Sequence, residues 1–366
     1  MRHAVIIAAA IAVLSTPMAA SASASDDLTA LRKQEERVAA IGERLSISAA
    51  TAGWCEGGHS LGWTLGEIGQ YGKRYRAAAR ALWGVPTGAT LFISALAPDG
   101  AAAQAGLRTG MGIVSIAGRT PMRNPYQSAS NHARLNSEQL VERSLAAGSM
   151  VIETLNADGT HRQWQLTPRP SCATRFEVGA EDDEQAYADG EVVQVTAGMG
   201  RYTDDNDQEL AAVIAHELAH NILRHIPRGE QSGTPENYTR YLGRYTNITR
   251  SMEEEADRMS VWLLSLAGYE PQTPIAFWRR FGPGHDSAHP LGRTHDRWQD
   301  RVAALESEIE TMRAAKQRNS NARPTLLDRR DLVPVPGARA VIGDAPATNA
   351  PVANAPVANA TAAPYQ

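Results

Sequence analysis

Two histidines four residues apart constrain this chain more than any other feature. His216-Glu217-Leu218-Ala219-His220 lies in a stretch, Asp207 to His225, whose Leu210, Ala211, Ile214, Leu218 and Ile222 recur at helical spacing. Side chains four apart share one face of a helix, so both imidazoles aim at one spot. Glu217 is turned about 100° from His216, which sets its carboxylate beside that spot rather than on it. Neutral imidazoles are metal ligands, and a carboxylate so placed suits proton transfer. Pro227 predicts the end of the helix.

A reactive metal held by three protein groups keeps one position open, so a third ligand is required. One class of such sites has a glycine three places after the second histidine and a histidine three further on; Leu223 and Ile226 stand there. His225 reads as a helix-end histidine on the wrong side, near the negative end of the helix dipole. The better candidate lies in Met252-Glu-Glu-Glu-Ala-Asp-Arg-Met-Ser260. Glu253 and Asp257 share a face. Glu253 can bind metal, while Asp257 can accept a hydrogen bond from the second nitrogen of a ligand histidine. Glu254 and Glu255 point elsewhere. Alone, this run would be a solvated helix face; the two histidines upstream favour Glu253 as a ligand.

The chain has 366 residues, room for two or three domains. With 36 basic and 40 acidic residues its net charge is −4, which argues against nucleic acid. Arg2 and His3 precede an apolar run, Ala4 to Leu14, too short to span a bilayer. Small residues through Ala24 complete a secretory signal, so residues 1–24 are expected to be removed and the rest to be periplasmic or secreted. No later segment reads as a membrane span. In an oxidising compartment Cys55 and Cys172 suggest a disulfide. They lack the paired spacing of a zinc site, and two free thiols are the other reading.

Along the chain, a helix is expected from Asp26 to about Ser46. The glycine-rich stretch 53–72 reads as packed but irregular, and 73–83 as a short helix. Strands follow at 89–96, 112–116, 150–155 and 162–166, with helices at 101–105 and 137–146. Gln185 to Gly198 reads as a hairpin turning at Asp189-Gly190. Further helices are expected at 251–266 and 293–315. From Val333 the chain is rich in Pro, Ala and Asn and should be disordered. The string from Ala101 to Gly118, Ala-Ala-Ala-Gln-Ala-Gly-Leu-Arg-Thr-Gly-Met-Gly-Ile-Val-Ser-Ile-Ala-Gly, resembles a bacterial PDZ domain covering 86–170, with Met111 where that family usually has Asp. The resemblance implies capture of an extended peptide or a chain end. It places the groove between the strand starting near Ala89 and the helix Ser137–Ala146.

His216–His220, Glu253-x-x-Ala256-Asp257 and Ser287-Ala288-His289-Pro290, in that order, resemble the metallopeptidase family of type-I CaaX prenyl proteases, HtpX-type membrane proteases and periplasmic BepA-type proteases. The resemblance spans roughly 186–297. Gln185 stands where Asn is common, and the PDZ-like segment interrupts the domain. It implies an α+β fold: a mainly helical zincin-type domain with a small hairpin sheet, interrupted by a PDZ-like β-rich domain. The expected units are a signal peptide (1–24), an N-terminal part of the protease domain (25–85), the PDZ-like domain (86–170), the catalytic part (171–316) and a disordered tail (317–366). It also implies one zinc ion per chain held by His216, His220 and Glu253, with Glu217 as the base and His289 as an active-site histidine. The edge strand Ala186-Tyr187-Ala188 would hold protein substrates as an added strand. The expected function is exported, zinc-dependent endopeptidase activity in envelope protein quality control. The alternative is a non-proteolytic metal-binding chaperone or assembly factor that uses the PDZ-like unit. That reading predicts loss of Glu217 or a ligand, and none is lost. An aminopeptidase of related type would usually have a gap shorter than the 32 residues between His220 and Glu253.

Overall fold

One long helix is the spine of the molecule. In the computed structural model, which describes residues 16–124, 128–231, 246–285 and 297–332, helix α1 runs Thr16–Thr51. It is longer at both ends than the 26–46 read from the sequence. Its second half buries Val38, Ile41, Leu45 and Ala49 in the largest core. Near its start, Leu28 joins a smaller core with Trp83, Val85 and Phe92. A single helix thus seats two units.

The first unit is an antiparallel sheet of β2 (Trp63–Glu67), β3 (Leu91–Leu96), β4 (Gly112–Ile116), β5 (Met150–Leu155) and β6 (His161–Leu166), in that spatial order. With it pack α2 (Lys73–Trp83), the short α3 (Ala101–Gln104) and α4 (His132–Leu145). Leu65, Ile93, Ile113, Ile152 and Leu166 fill its core against Val141 and Leu145 of α4. The strands from β3 onward match the sequence reading closely. The stretch 53–72 does not: it holds β1 (Gly57–Ser60) and β2, not irregular chain. Glycine hides them. The Phe92 ring occupies the space a Gly66 side chain would need, with 2.5 Å to a built Cβ, so the strand lacks an apolar/polar alternation to read. The sheet therefore begins at Trp63, ahead of Pro86.

The second unit is mainly helical. β7 (Arg169–Cys172) pairs with β1, and the structure joins Cys55 to Cys172 beside this ribbon. β8 (Arg175–Gly179), β10 (Val192–Thr196) and β9 (Ala186–Ala188) form a three-stranded sheet with β10 in the middle. The β9–β10 hairpin turns where Asp189 Oδ1 accepts from the Glu191 and Val192 amides. Then come α5 (Ala197–Tyr202), α6 (Asp207–Ile222), α7 (His225–Gln231), α8 (Thr246–Leu266), α9 (Thr273–His285) and α10 (Trp298–Arg318). Helix α6 is the centre, packed on α1, α8 and α9. The fold is α+β.

Helix α9 extends through Gly282, Pro283 and Gly284 to His285. Three further readings need correction. The tail does not begin at 317: α10 reaches Arg318, and a 3-10 turn at Thr325–Arg329 buries Leu326 and Leu327 in the main core. Two adjacent leucines suffice to anchor it. The single helix expected at 207–225 breaks at Arg224, whose φ of 57° is left-handed. Pro227 does not end that helix but lies in the first turn of α7, where its missing N–H leaves no bond unmade. Among the described residues, no helix is long and apolar enough to cross a membrane. Residues 1–15 of the expected signal and the tail from 333 lie outside the described residues.

Candidate metal centre

Helix α6 starts on a cap, Asn206, whose side-chain oxygen accepts from the Glu209 amide. Leu210, Ile214 and Leu218 are fully buried and fix its rotation. That rotation turns His216 and His220 toward α8. Ala215, Ala219 and Ala256 are also fully buried, so the α6–α8 contact stays thin enough for side chains of both helices to meet.

They meet at one point. His216 Nε2 lies 3.2 Å from His220 Nε2 and 3.2 Å from Glu253 Oε2. His220 Nε2 lies 3.6 Å from Glu253 Oε1. Donors about 2.0–2.1 Å from a tetrahedral centre lie about 3.3 Å from one another. Two imidazole nitrogens and a carboxylate at these separations fit an ion of zinc's size, and they are the metal-capable cluster among the described residues. Glu217, half-buried, follows His216 on the helix. Its charge reaches the Tyr187 hydroxyl on β9, which is pushed up by desolvation and then by Asp183, Glu181 and Glu217. β9 is the edge of its sheet among the described residues, and Tyr187 is exposed. His289 and Pro290 lie outside the described residues.

Behind each histidine stands a buried acid. His216 Nδ1 is 3.0 Å from Asp257 Oδ1, and Arg301 of α10 grips Asp257 with two bonds of 2.6 Å. Arg301 lies in turn over the Trp278 ring, 3.7 Å from its centroid. Burial raises the Asp257 carboxyl, but Arg301 and His216 outweigh it and hold it below its ordinary value.

The other partner set was not legible as such. His225 is buried at the start of α7, not at the C-terminal end of the α6 helix as the sequence reading had it. Its Nδ1 is 2.9 Å from His220 Nδ1, and its Nε2 is 3.3 Å from Glu255 Oε2. Glu255 is held by Arg228 of α7 through contacts of 2.6 and 3.3 Å. Glu255 therefore points into the core at His225, not to solvent. The break at Arg224 brings this about: it lets the chain restart as α7 with His225 folded back beside His220. Pro227 was the available signal, since its ring clashes with the carbonyl four residues back and forbids one continuous helix.

The charges follow from these contacts. Burial lowers His216, but Asp257 and Glu253 outweigh it and hold it at about 10 without a metal. Burial dominates at His220 and His225, and both are depressed. Burial raises Glu255, while His225 and Arg228 bring it down to about 2.

Comparison with known proteins agrees with this geometry. Residues 166–234 match Peptidase family M48. The chain is 30% identical over 115 residues to the beta-barrel assembly-enhancing protease of Yersinia pestis, covering 24% of this chain and 23% of that protein. It is 28% identical over 120 residues to the beta-barrel assembly-enhancing protease of Escherichia coli K12, covering 25% and 24%. It is 25% identical over 143 residues to the mitochondrial metalloendopeptidase OMA1 of Arabidopsis thaliana, covering 33% and 29%. The chain thus spans under a third of the length of these relatives. His216-Glu217-x-x-His220 thus lies inside the stretch that is similar to Peptidase family M48, and Glu253 from outside that stretch closes a donor set that could hold a metal ion.

Proposed function

We propose that this chain is an exported, zinc-dependent endopeptidase that hydrolyses peptide bonds in protein substrates, working in envelope protein quality control. The observation that carries the reading is the three-donor set with separations of 3.2–3.6 Å, next to Glu217 and an exposed edge strand. His216, His220 and Glu253 would hold one zinc ion. When bound, it would supply Lewis acidity to the attacking water and the scissile carbonyl. Glu217 takes the water's proton and returns it to the leaving amine. Asp257 fixes the His216 ring, and His225 with Glu255 fixes the His220 ring. Ala186, Tyr187 and Ala188 hold the substrate backbone as an added strand. His289 is proposed to act at the same centre, as a cap on the open position or as a donor to the oxyanion.

The five-stranded sheet with α3 and α4 is proposed to be a PDZ-like unit interrupting the catalytic one, and residues 1–24 a cleaved signal leading to the periplasm or the outside. Support for the first is the match between its strand and helix order and the Gly-Leu-x-x-Gly-x-x-Ile pattern near Gly106.

Metal analysis and casein cleavage of wild type and Glu217→Gln test the central reading. The variant should retain one zinc per chain and lose cleavage by at least a hundredfold, the scale of general acid–base catalysis. Equal turnover, or metal lost together with activity, rules out the role given to Glu217.

A further inference from the structure

Residues 325–332 follow α10 and dock against α7. Their 3-10 turn buries Leu326 and Leu327 in the main core. Just beyond it, the Leu332 amide donates to the Arg329 carbonyl. The Leu332 carbonyl faces α7 and accepts from Arg228 Nε at 3.1 Å. This segment lies outside residues 166–234, so the similarity to Peptidase family M48 says nothing of it.

Arg228 is the hub of the contact. It is 6% exposed. Its two terminal nitrogens hold the Glu255 carboxylate at 2.6 and 3.3 Å, and Nη1 also donates to the Leu223 carbonyl at 3.4 Å. Nε is the donor that Glu255 leaves over, and the Leu332 carbonyl takes it. A buried guanidinium that loses such an acceptor pays a desolvation cost unless it turns out to water. Turning out would withdraw it from Glu255. Glu255 faces His225, and His225 faces His220. An unbroken line of contacts thus runs from the Leu332 carbonyl to a residue of the metal donor set.

The same segment reaches the break between α6 and α7. Arg224, whose left-handed backbone lets His225 fold back beside His220, lies 3.1 Å from Asp331 and 3.4 Å from Glu56. These three side chains are exposed, so their ion pairs contribute little alone. The weight falls on the Leu332 carbonyl and on the two leucines that seat it.

We propose that residues 325–332 are a positioning element of the metal centre: docked on α7 they hold Arg228, and through Glu255 and His225 they set the His220 ring, so that docking of the segment and retention of the metal are coupled. The inference rests on the metal-binding reading of His216, His220 and Glu253. Such coupling is reciprocal. Zinc at the donor set holds the segment down, and loosening the segment releases zinc.

The test uses the full chain carrying Glu217→Gln, so that self-cleavage does not intrude. Zinc affinity is measured by competition with a chromogenic chelator. Hydrogen exchange of the peptide spanning 324–332 is followed with and without zinc. Zinc should slow that exchange by about fivefold or more, while exchange in β5 and β6 of the sheet unit stays unchanged. Adding Arg228→Met should lower zinc affinity by about tenfold or more and abolish the zinc-dependent protection. Arg228→Lys keeps the charge but not the fork, so it should recover only part of the affinity. The exchange measurement needs no change at Arg228 and decides the matter even where Arg228→Met fails to fold. One zinc bound per chain with unchanged exchange at 324–332 overturns the proposal, as does undiminished zinc affinity in Arg228→Met. Exchange slowed equally in β5 and β6 also overturns it, because zinc would then stabilise the whole fold and not this segment. A chain that binds no zinc removes the metal centre itself, and the coupling falls with it.

Discussion

His225 Nδ1 stands 2.9 Å from His220 Nδ1, and the other nitrogen of His225 stands 3.3 Å from Glu255. Since His220 turns Nε2 toward the donor set, its proton belongs on Nδ1, where it can be donated to His225. That assignment leaves the His225 proton on Nε2, facing the ionised Glu255. The metal face thus rests on two supports of different length. His216 leans on Asp257, which Arg301 holds; His220 leans on His225, Glu255 and Arg228 in sequence.

Removing the second support should loosen the metal without touching a ligand. His225→Ala and Glu255→Gln are each expected to lower zinc affinity by about 10–100-fold, the range for partners of ligand histidines. Competition with a chromogenic chelator measures it directly. His225→Asn, which can still accept at one end and donate at the other, should recover part of the loss. Unchanged affinity in both His225→Ala and Glu255→Gln would mean that His220 needs no support.

The three consecutive glutamates of α8 should separate cleanly. Glu253→Ala is expected to lose most of the zinc, because Glu253 supplies the oxygens 3.2 and 3.6 Å from the two imidazoles. Glu254→Ala should retain it. Glu255→Ala should fall between, since it acts on His220 only through His225. Metal analysis of the purified variants decides the order, and a zinc-loaded Glu253→Ala protein would remove Glu253 from the donor set.

Much of this centre was legible because helical spacing fixes which side chains of α6 and α8 share a face. His216 and His220 needed nothing more, whereas Glu253 and Asp257 stood out from a solvated acidic face only because the two histidines precede them. His225 and Glu255 were missed because one helix was carried through Arg224, and a continuous helix would turn His225 away. Pro227 held the information but was read as an end rather than a restart. β2 escaped because its glycines serve close packing under Phe92 instead of an alternating pattern. Leu326 and Leu327 escaped because a polar, proline-bearing neighbourhood outweighed two buried leucines. Such local reversals of chain direction and single close contacts are set by tertiary packing, which periodicity does not record.

The Cys55–Cys172 bond ties the segment after α1 to β7 across a sequence separation of 117, closing the base of the sheet unit. For a loop of that size the chain-entropy account gives about 4–5 kcal/mol, often less in practice. Cys55→Ser with Cys172→Ser should therefore lower the denaturation midpoint while leaving the zinc content of the folded protein intact. Two reactive thiols in wild-type protein purified from an oxidising compartment would show that the bond does not form.

A buried acid on the spine should make stability depend on pH in an unusual direction. Glu35 of α1 is 7% exposed, and one of its oxygens has no partner. Burial pushes its carboxyl up to about 7; Ser94 and the Arg134 charge pull down, while Glu36 and Glu177 push up. In the unfolded chain the same group ionises near its reference of 4.5. A raised folded value means that the protonated form is favoured on folding. Its stabilisation is therefore fully present below about pH 4.5 and is lost as pH rises towards 7, after which the loss is constant. A shift of this size corresponds to about 3 kcal/mol. Glu35→Gln keeps a neutral amide against Ser94 and removes the ionisation. It should match wild type near pH 4.5 and exceed it in stability by about 1–3 kcal/mol at pH 8. Glu138, also held up to about 7 by burial, is present in both proteins and cancels from the difference. Urea unfolding of the two proteins at pH 4.5, 6 and 8 gives the comparison. A difference that does not change with pH, or a variant less stable than wild type at pH 8, would show that Glu35 folds ionised.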